Sequence, residues 1–222
     1  MYLMSEHYFP TVCVDNFLSN AEEVLKIANT LEYRKSALGV WPGERTESLH
    51  IHSPAIFASI LSDVFSLFYN YEAEPIKWTA EMYFQKTKPY GNFNSGWIHN
   101  DLPNLFAGII YLNKDGDSSS GTSMYSCIDE FKYSEYTMNM KRELYLNGEV
   151  DEKKYLEEKE NYEKNFIKTT SFSNVFNRMI AYDAQSYHCA DGFDGGDDKE
   201  RLTLVFFINE LDAHTVPLKR NK

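Results

Sequence analysis

Ile76-Lys77-Trp78-Thr79-Ala80-Glu81-Met82-Tyr83-Phe84-Gln85 alternates without a break, with Ile76, Trp78, Ala80, Met82 and Phe84 set against Lys77, Thr79, Glu81, Tyr83 and Gln85. Successive side chains leave a strand on opposite faces, so a period of two over ten residues reads as a strand with one face on a core. Downstream, Pro89 to Gly96 is a turn-rich loop. Phe106 to Leu112 is a short apolar run ended by Asn113-Lys114-Asp115-Gly116, and Gly121 to Ser126 reads as another strand. Asn177 to Tyr182 and Arg201 to Ile208 are the last two strands, joined by a polar, Gly-rich loop, Asp191 to Glu200.

Upstream the period is helical. Phe17 to Leu31 reads as a helix with the capping-box pattern Ser19-Asn20-Ala21-Glu22 and Val24, Ile27, Ala28 and Leu31 on one face. A second helix has Ser53 as cap, Pro54 in its first turn, and Ile56, Phe57, Ile60, Leu61, Val64, Phe65 and Phe68 behind them. Asp129 to Asn165 is dense in Glu and Lys with a break at Asn147-Gly148, which predicts two exposed helices inserted between strands, with ion pairs such as Glu160 and Lys164. Its tyrosines Tyr133, Tyr136, Tyr145, Tyr155 and Tyr162 also permit a lid or a homodimer contact; the solvated pair is the simpler reading. Helices first, then many short strands, predict a mostly β fold with flanking helices (α+β), a jelly-roll-like barrel. The expected organisation is one domain over 1–222, with a helical support region at 1–75, a barrel core at 76–209 carrying the insertion at about 129–165, and a C-terminal tail at 210–222.

With 43% hydrophobic and 15% aromatic residues the chain has ample core material. A net charge of -11, from 33 acidic and 22 basic residues, disfavours phosphate backbones and anionic lipid as partners. Met1 to Pro10 lacks a secretory apolar run and no later stretch is long enough to span a bilayer, so a cytoplasmic, unexported protein is expected. Cys13, Cys127 and Cys189 are widely spaced and odd in number; they read as small buried hydrophobes in a reducing compartment.

The chemistry begins at His99-Asn100-Asp101. Two residues apart on extended backbone, an imidazole and a carboxylate leave on the same side and can bind one metal ion. His188, 89 positions further on and after the strand Asn177 to Tyr182, can supply a third ligand. Two histidines and a carboxylate form a facial set that leaves other metal positions open.

Around this set stand Tyr111-Leu112-Asn113 at a strand end, Gly121-Thr122, the distal His188, and Arg201 opening the next strand. In that order, from about Ile76 to Asn209, the chain resembles the 2-oxoglutarate/Fe(II)-dependent dioxygenase superfamily, in particular its prolyl-hydroxylase-like branch. The resemblance implies a double-stranded β-helix, His99, Asp101 and His188 as Fe(II) ligands and catalytic centre, and Arg201 as partner of the distal carboxylate of 2-oxoglutarate. It implies Tyr111 beside that carboxylate. Where the family often has a hydroxyl residue four positions after the basic residue, this chain has Val205; Thr203 is the substitute. An Arg fork suits a carboxylate, and its charge inside a barrel calls for an anion. The implied reaction uses O2 and 2-oxoglutarate to hydroxylate a peptidyl or small-molecule C–H bond, releasing succinate. A non-catalytic jelly-roll binding module and a cupin-type metal-dependent isomerase or hydrolase are the alternatives; the second has no need of Arg201. Superfamily members that demethylate nucleic acid carry a second arginine six residues after the first, where this chain has Phe207.

Simpler readings stand beside these: Arg201 as a strand-edge arginine paired with Asp197 or Asp198, Tyr111 as plain core, and Tyr83 as a minor lining residue. His50-Ile51-His52 reads as an extended stretch, structural ahead of substrate-facing, and Arg45, after Pro42-Gly43, as an exposed turn arginine ahead of one that reaches a substrate anion.

Overall fold

The alternating stretch forms the long strand that organises the molecule. In a computed structural model, which describes residues 9–70, 75–128, 134–148, 150–196 and 200–217, it is β4 (Lys77–Thr87). β4 lies in a seven-stranded antiparallel sheet with β1 (Val12–Val14), β2 (Arg34–Lys35), β3 (Glu44–Arg45), β5 (Phe106–Tyr111), β8 (Met179–Asp183) and β10 (Arg201–Asp212). The spatial order is β1-β8-β5-β10-β4-β3-β2. A smaller three-stranded sheet has β6 (Thr122–Cys127) between β7 (Phe166–Phe172) and β9 (Tyr187–Ala190).

β10 shows how the large sheet divides its two faces. Leu202, Leu204, Phe206 and Ile208 join Met82 and Phe84 in the main core, under α1 (Ala21–Ala28) and α3 (Pro54–Ser66). Arg201, Thr203, Val205 and Phe207 point the other way and line a cavity. The second face is closed by the small sheet: Met124 and Phe172 pack on Ala107, Ile180, Tyr182 and Phe207.

One glycine is required for this packing. A Cβ on Gly108 would lie 2.2 Å from the Phe206 ring and 2.5 Å from the Ile180 carbonyl oxygen. Gly108→Ala is therefore expected to cost about 1–3 kcal/mol through overpacking. Urea unfolding should show the midpoint lowered at unchanged slope.

The helices need several corrections. The first runs only from Ala21 to Ala28, and its cap residue Asn20 makes no side-chain cap bond, bonding Glu23 instead at 3.2 Å. His50-Ile51-His52 is not extended but belongs to a helical turn, α2 (Leu49–His52), where His50 Nδ1 meets Ser48 Oγ at 2.8 Å. The insertion is two helices, α4 (Glu135–Asn147) and α5 (Glu152–Glu163), broken at Gly148 with φ +73°, and Lys164 pairs with Glu160 at 3.2 Å. It is not simply solvated. Tyr145, Tyr155 and Tyr162 are buried in a cluster with Trp97, Ile98, Phe166 and Cys189, and of the insertion's described tyrosines only Tyr136 is well exposed. Tyr133 lies outside the described residues. β1, β2, β3, β7 and β9 are additional strands, and β10 continues to Asp212, four residues past the predicted end and into the segment read as a tail. All three cysteines are free thiols; Cys189 is buried, Cys127 half-buried, and Cys13, contrary to expectation, exposed. Among the described residues no helix is long and apolar enough to cross a membrane.

Candidate metal centre

His99 and His188 are brought together by backbone pairing. The two residues form an antiparallel bridge, His99 N–H donating to His188 O at 2.9 Å and His188 N–H to His99 O at 2.8 Å. Residues directly opposite across such a bridge present their side chains on one face, and the ring centroids stand 4.4 Å apart. His188 follows β8, as expected, and sits in β9, a strand that the sequence pattern did not predict. Asp101 is fixed by its own N–H, which donates to Ala184 O at 2.8 Å.

Each imidazole is oriented by a backbone carbonyl. His99 Nδ1 lies 2.8 Å from Trp97 O and His188 Nδ1 lies 3.0 Å from Ser186 O. A carbonyl can only accept, so Nδ1 is the donor in each ring, and in the neutral form of such a ring Nε2 keeps its lone pair for a cation. Both Nε2 atoms meet the Asp101 carboxylate, at 3.7 Å from His99 and 3.4 Å from His188. The donor atoms of the three residues lie within 4.8 Å of one another, a group able to hold one metal ion. The insertion steadies the approach to His99: Trp97 Nε1 donates to Tyr155 Oη at 2.8 Å, and Tyr162 Oη donates to Ile98 O.

Burial, with help from His188 and Lys141, pushes His99 well below its ordinary value of 6.5 and keeps it neutral. An unfolded chain regains the ordinary value, so it takes up a proton as pH falls below about 6.5 while the folded chain does not. The contribution of His99 to stability is therefore present above that pH and is lost as pH falls towards the folded value. Metal-free protein should unfold at lower urea at pH 5.5 than at pH 7.5, and His99→Gln should flatten this difference; an unchanged difference would contradict the assignment.

The same cavity holds Arg201. It is buried, with Nε donating to Ser120 O at 2.8 Å and Nη2 reaching Gly121 O at 3.5 Å, and its guanidinium carbon lies 5.3 Å from the Tyr111 ring centre. No carboxylate of the described residues pairs with it within 4.0 Å; Asp197 and Asp198, the partners considered from sequence, lie outside them. Burial lowers the pKa of Arg201, opposed by Tyr111 and Tyr182. Tyr111 is buried, and its hydroxyl donates to Thr122 Oγ1 at 2.8 Å. Thr203 is opposite Tyr111 in the sheet, on the cavity side.

Tyr83 also lines the cavity. Sequence reasoning missed Tyr182, whose ring centre is 4.4 Å from that of His188; alternation with Ile180 in β8 was the available signal. It also misjudged Arg45. That residue is half-buried on β3, its guanidinium carbon 4.7 Å from the Trp41 ring centre and 5.4 Å from that of Phe207, and Nε donates to Gln85 Oε1 at 2.9 Å.

Solved structures share this architecture. SnoN, described as a non-heme alpha ketoglutarate dependent epimerase from nogalamycin biosynthesis, superposes with TM-score 0.56 at 14% identity over 93% of this chain and 80% of its own. HygX from Streptomyces hygroscopicus, solved with nickel, 2-oxoglutarate and hygromycin B, gives 0.56 at 11% identity over 93% and 87%. A 2OG-Fe(II) oxygenase family oxidoreductase from Burkholderia pseudomallei gives 0.50 at 10% over 90% and 84%. The chain thus has the fold of the 2-oxoglutarate/Fe(II) oxygenases. By sequence it belongs to DUF6445, a family of unknown function, over residues 2–208. No curated protein matches it.

Proposed function

We propose that this chain is an Fe(II)- and 2-oxoglutarate-dependent oxygenase that hydroxylates a C–H bond of its substrate. One observation carries the reading: a two-histidine, one-carboxylate donor set and a buried arginine line the same cavity. The donors fit a ferrous ion, with two imidazole nitrogens and one carboxylate leaving further positions free. His99, Asp101 and His188 would hold it. When bound, iron with 2-oxoglutarate and O2 supplies an oxidation of substrate coupled to release of succinate and CO2.

The protein's own groups bind and orient. Arg201, held by two carbonyls, offers its remaining N–H groups to the distal carboxylate of 2-oxoglutarate, with the hydroxyls of Tyr111 and Thr203 beside it. Burial raises the Tyr111 pKa, so the phenol stays protonated, its hydrogen donated to Thr122 Oγ1. Tyr182, pushed well above its ordinary value by burial, walls the metal side without adding charge. The two facing sheets read as a double-stranded β-helix with the helical insertion in one domain, and the free thiols suit a cytoplasmic setting. A cavity of about 710 Å³ is within the roughly 300–1,000 Å³ of small-molecule sites. That favours a small-molecule substrate over a peptide. A binding module or a cupin-type hydrolase would leave Arg201 without a task.

The test is succinate formation by protein loaded with Fe(II) and supplied with 2-oxoglutarate and air. Succinate should appear in step with 2-oxoglutarate loss and require the metal. Finding neither succinate nor metal-dependent 2-oxoglutarate binding would overturn the proposal.

A further inference from the structure

Besides Arg201, two half-buried cations line the cavity, from different elements. Arg45 comes from β3. In the large sheet it stands in one cross-strand row with Gln85, Thr203 and Tyr111, so its side chain shares the face on which 2-oxoglutarate is expected. Its guanidinium lies among Trp41, Tyr83 and Phe207, and Gln85, which accepts from Nε, is itself fixed by donating to Pro42 O at 2.8 Å. Among the described residues no acceptor is bonded to either terminal nitrogen of Arg45. Its flat fork is thus oriented and has its outer donors to spare.

Lys141 comes from α4. Met138, Lys141 and Tyr145 follow at three- and four-residue spacing on one helical face, and all three line the cavity. Lys141 Nζ lies 5.9 Å from the Tyr145 ring centre and pairs with no carboxylate among the described residues. Both cations are near enough to Asp101 for its charge to act on them, and burial brings Arg45 to about 10 and Lys141 to about 8.

The balance of charge around the cavity is the reverse of the chain's. Lining it are Arg34, Lys35, Arg45, Lys141 and Arg201, against Glu47, Glu81 and Asp101, although acidic residues outnumber basic ones 33 to 22 overall. Of those acids Asp101 faces the imidazoles, Glu81 bonds Tyr83, and Glu47 lies 3.6 Å from His52. Arg34 is occupied by Glu32 at 3.0 Å. Arg34 and Lys35 are exposed, whereas Arg45 and Lys141 are half-buried and Arg201 is buried, and none of these last three pairs with a carboxylate among the described residues.

We propose that the substrate is a small molecule with an apolar body and a carboxylate or phosphate group, and that Arg45 and Lys141 bind this anion beside the metal centre. The inference rests on the oxygenase reading for the metal's role, but the anion site itself stands on Arg45, Lys141 and the aromatic wall of Trp41, Tyr83 and Phe207. Arg201 serves 2-oxoglutarate and is a separate anion site.

The test titrates 3-phenylpropionate, phenyl phosphate and the uncharged 3-phenylpropanamide into protein holding Fe(II) and saturating 2-oxoglutarate without O2, followed by calorimetry. At least one of the two acids should bind, and the amide should be weaker by about tenfold or more. Arg45→Gln and Lys141→Met should each weaken that acid about 10- to 100-fold, the worth of a charge-assisted hydrogen bond, and Lys141→Arg should restore it. Formation of the coloured 2-oxoglutarate chelate should survive these substitutions and be impaired by Arg201→Met, which keeps the acid site. Failure of both acids to bind, an amide as tight as the acids, or loss of the chelate in Lys141→Met would overturn the proposal. The acids are also titrated into metal-free protein. A wild-type chain that forms no chelate yet binds an acid through Arg45 and Lys141 would sink the oxygenase reading and leave the anion site standing.

Discussion

Asp101→Ala is expected to abolish Fe(II) binding and all succinate formation. The three donors lie within 4.8 Å of one another, and Asp101 is the only anionic one. Without it a dication would face two imidazoles and no carboxylate, with Arg45 and Lys141 nearby and repelling it. Loss of an outer-shell partner already costs about 10- to 100-fold in metal affinity, and loss of this ligand should exceed that. The fold should survive, because the backbone N–H of residue 101 donates to Ala184 O whatever the side chain. Equilibrium dialysis against Fe(II) gives the measurement. Retained stoichiometric iron in the variant would exclude Asp101 as a ligand.

Arg201→Met should separate co-substrate from metal. Truncating one partner of a buried, hydrogen-bonded charge pair costs on the order of 2–5 kcal/mol, so the 2-oxoglutarate concentration needed for half-saturation should rise about 30-fold or more. Iron affinity should stay near that of wild type, since Arg201 bonds Ser120 O and Gly121 O and no metal donor. Stability offers an independent check. A buried cation without a carboxylate partner is itself unfavourable, so a methionine of similar length should leave the metal-free protein nearly as stable as before, or more so. A variant that loses 2-oxoglutarate binding only because it unfolds would show a lowered urea midpoint.

Much of this is legible in the sequence. The alternation from Ile76 to Gln85 announced β4 because one face of that strand is core and the other is cavity, and such a boundary writes itself as period two. Pro54 announced α3 as a first-turn proline, while Ser53 stands at the cap position without making a side-chain cap bond. The spacing His99-Asn100-Asp101 placed two donors on one side of extended backbone. What escaped was whatever depends on long-range pairing. β3 is two residues long, and only its register against Gln85 turns Arg45 from a turn residue into a cavity cation. The two-residue strand β2 is equally short on local pattern, and His188 acquires strand geometry by pairing with Met124 and bridging to His99. The insertion looked solvated because its charges are plentiful and its buried residues are tyrosines, whose hydroxyls satisfy partners at Trp97 and Ile98 while the rings fill a core. A count of charges does not reveal that face.

The central claim is that one cavity holds ferrous iron beside 2-oxoglutarate. Anaerobic titration of the protein with Fe(II) and then 2-oxoglutarate, followed by visible absorption, addresses it directly. A weak charge-transfer band that saturates at one equivalent of each, and is lost on Asp101→Ala, is the result predicted. Iron bound with no band at any 2-oxoglutarate concentration, or a band unchanged without Asp101, would contradict it.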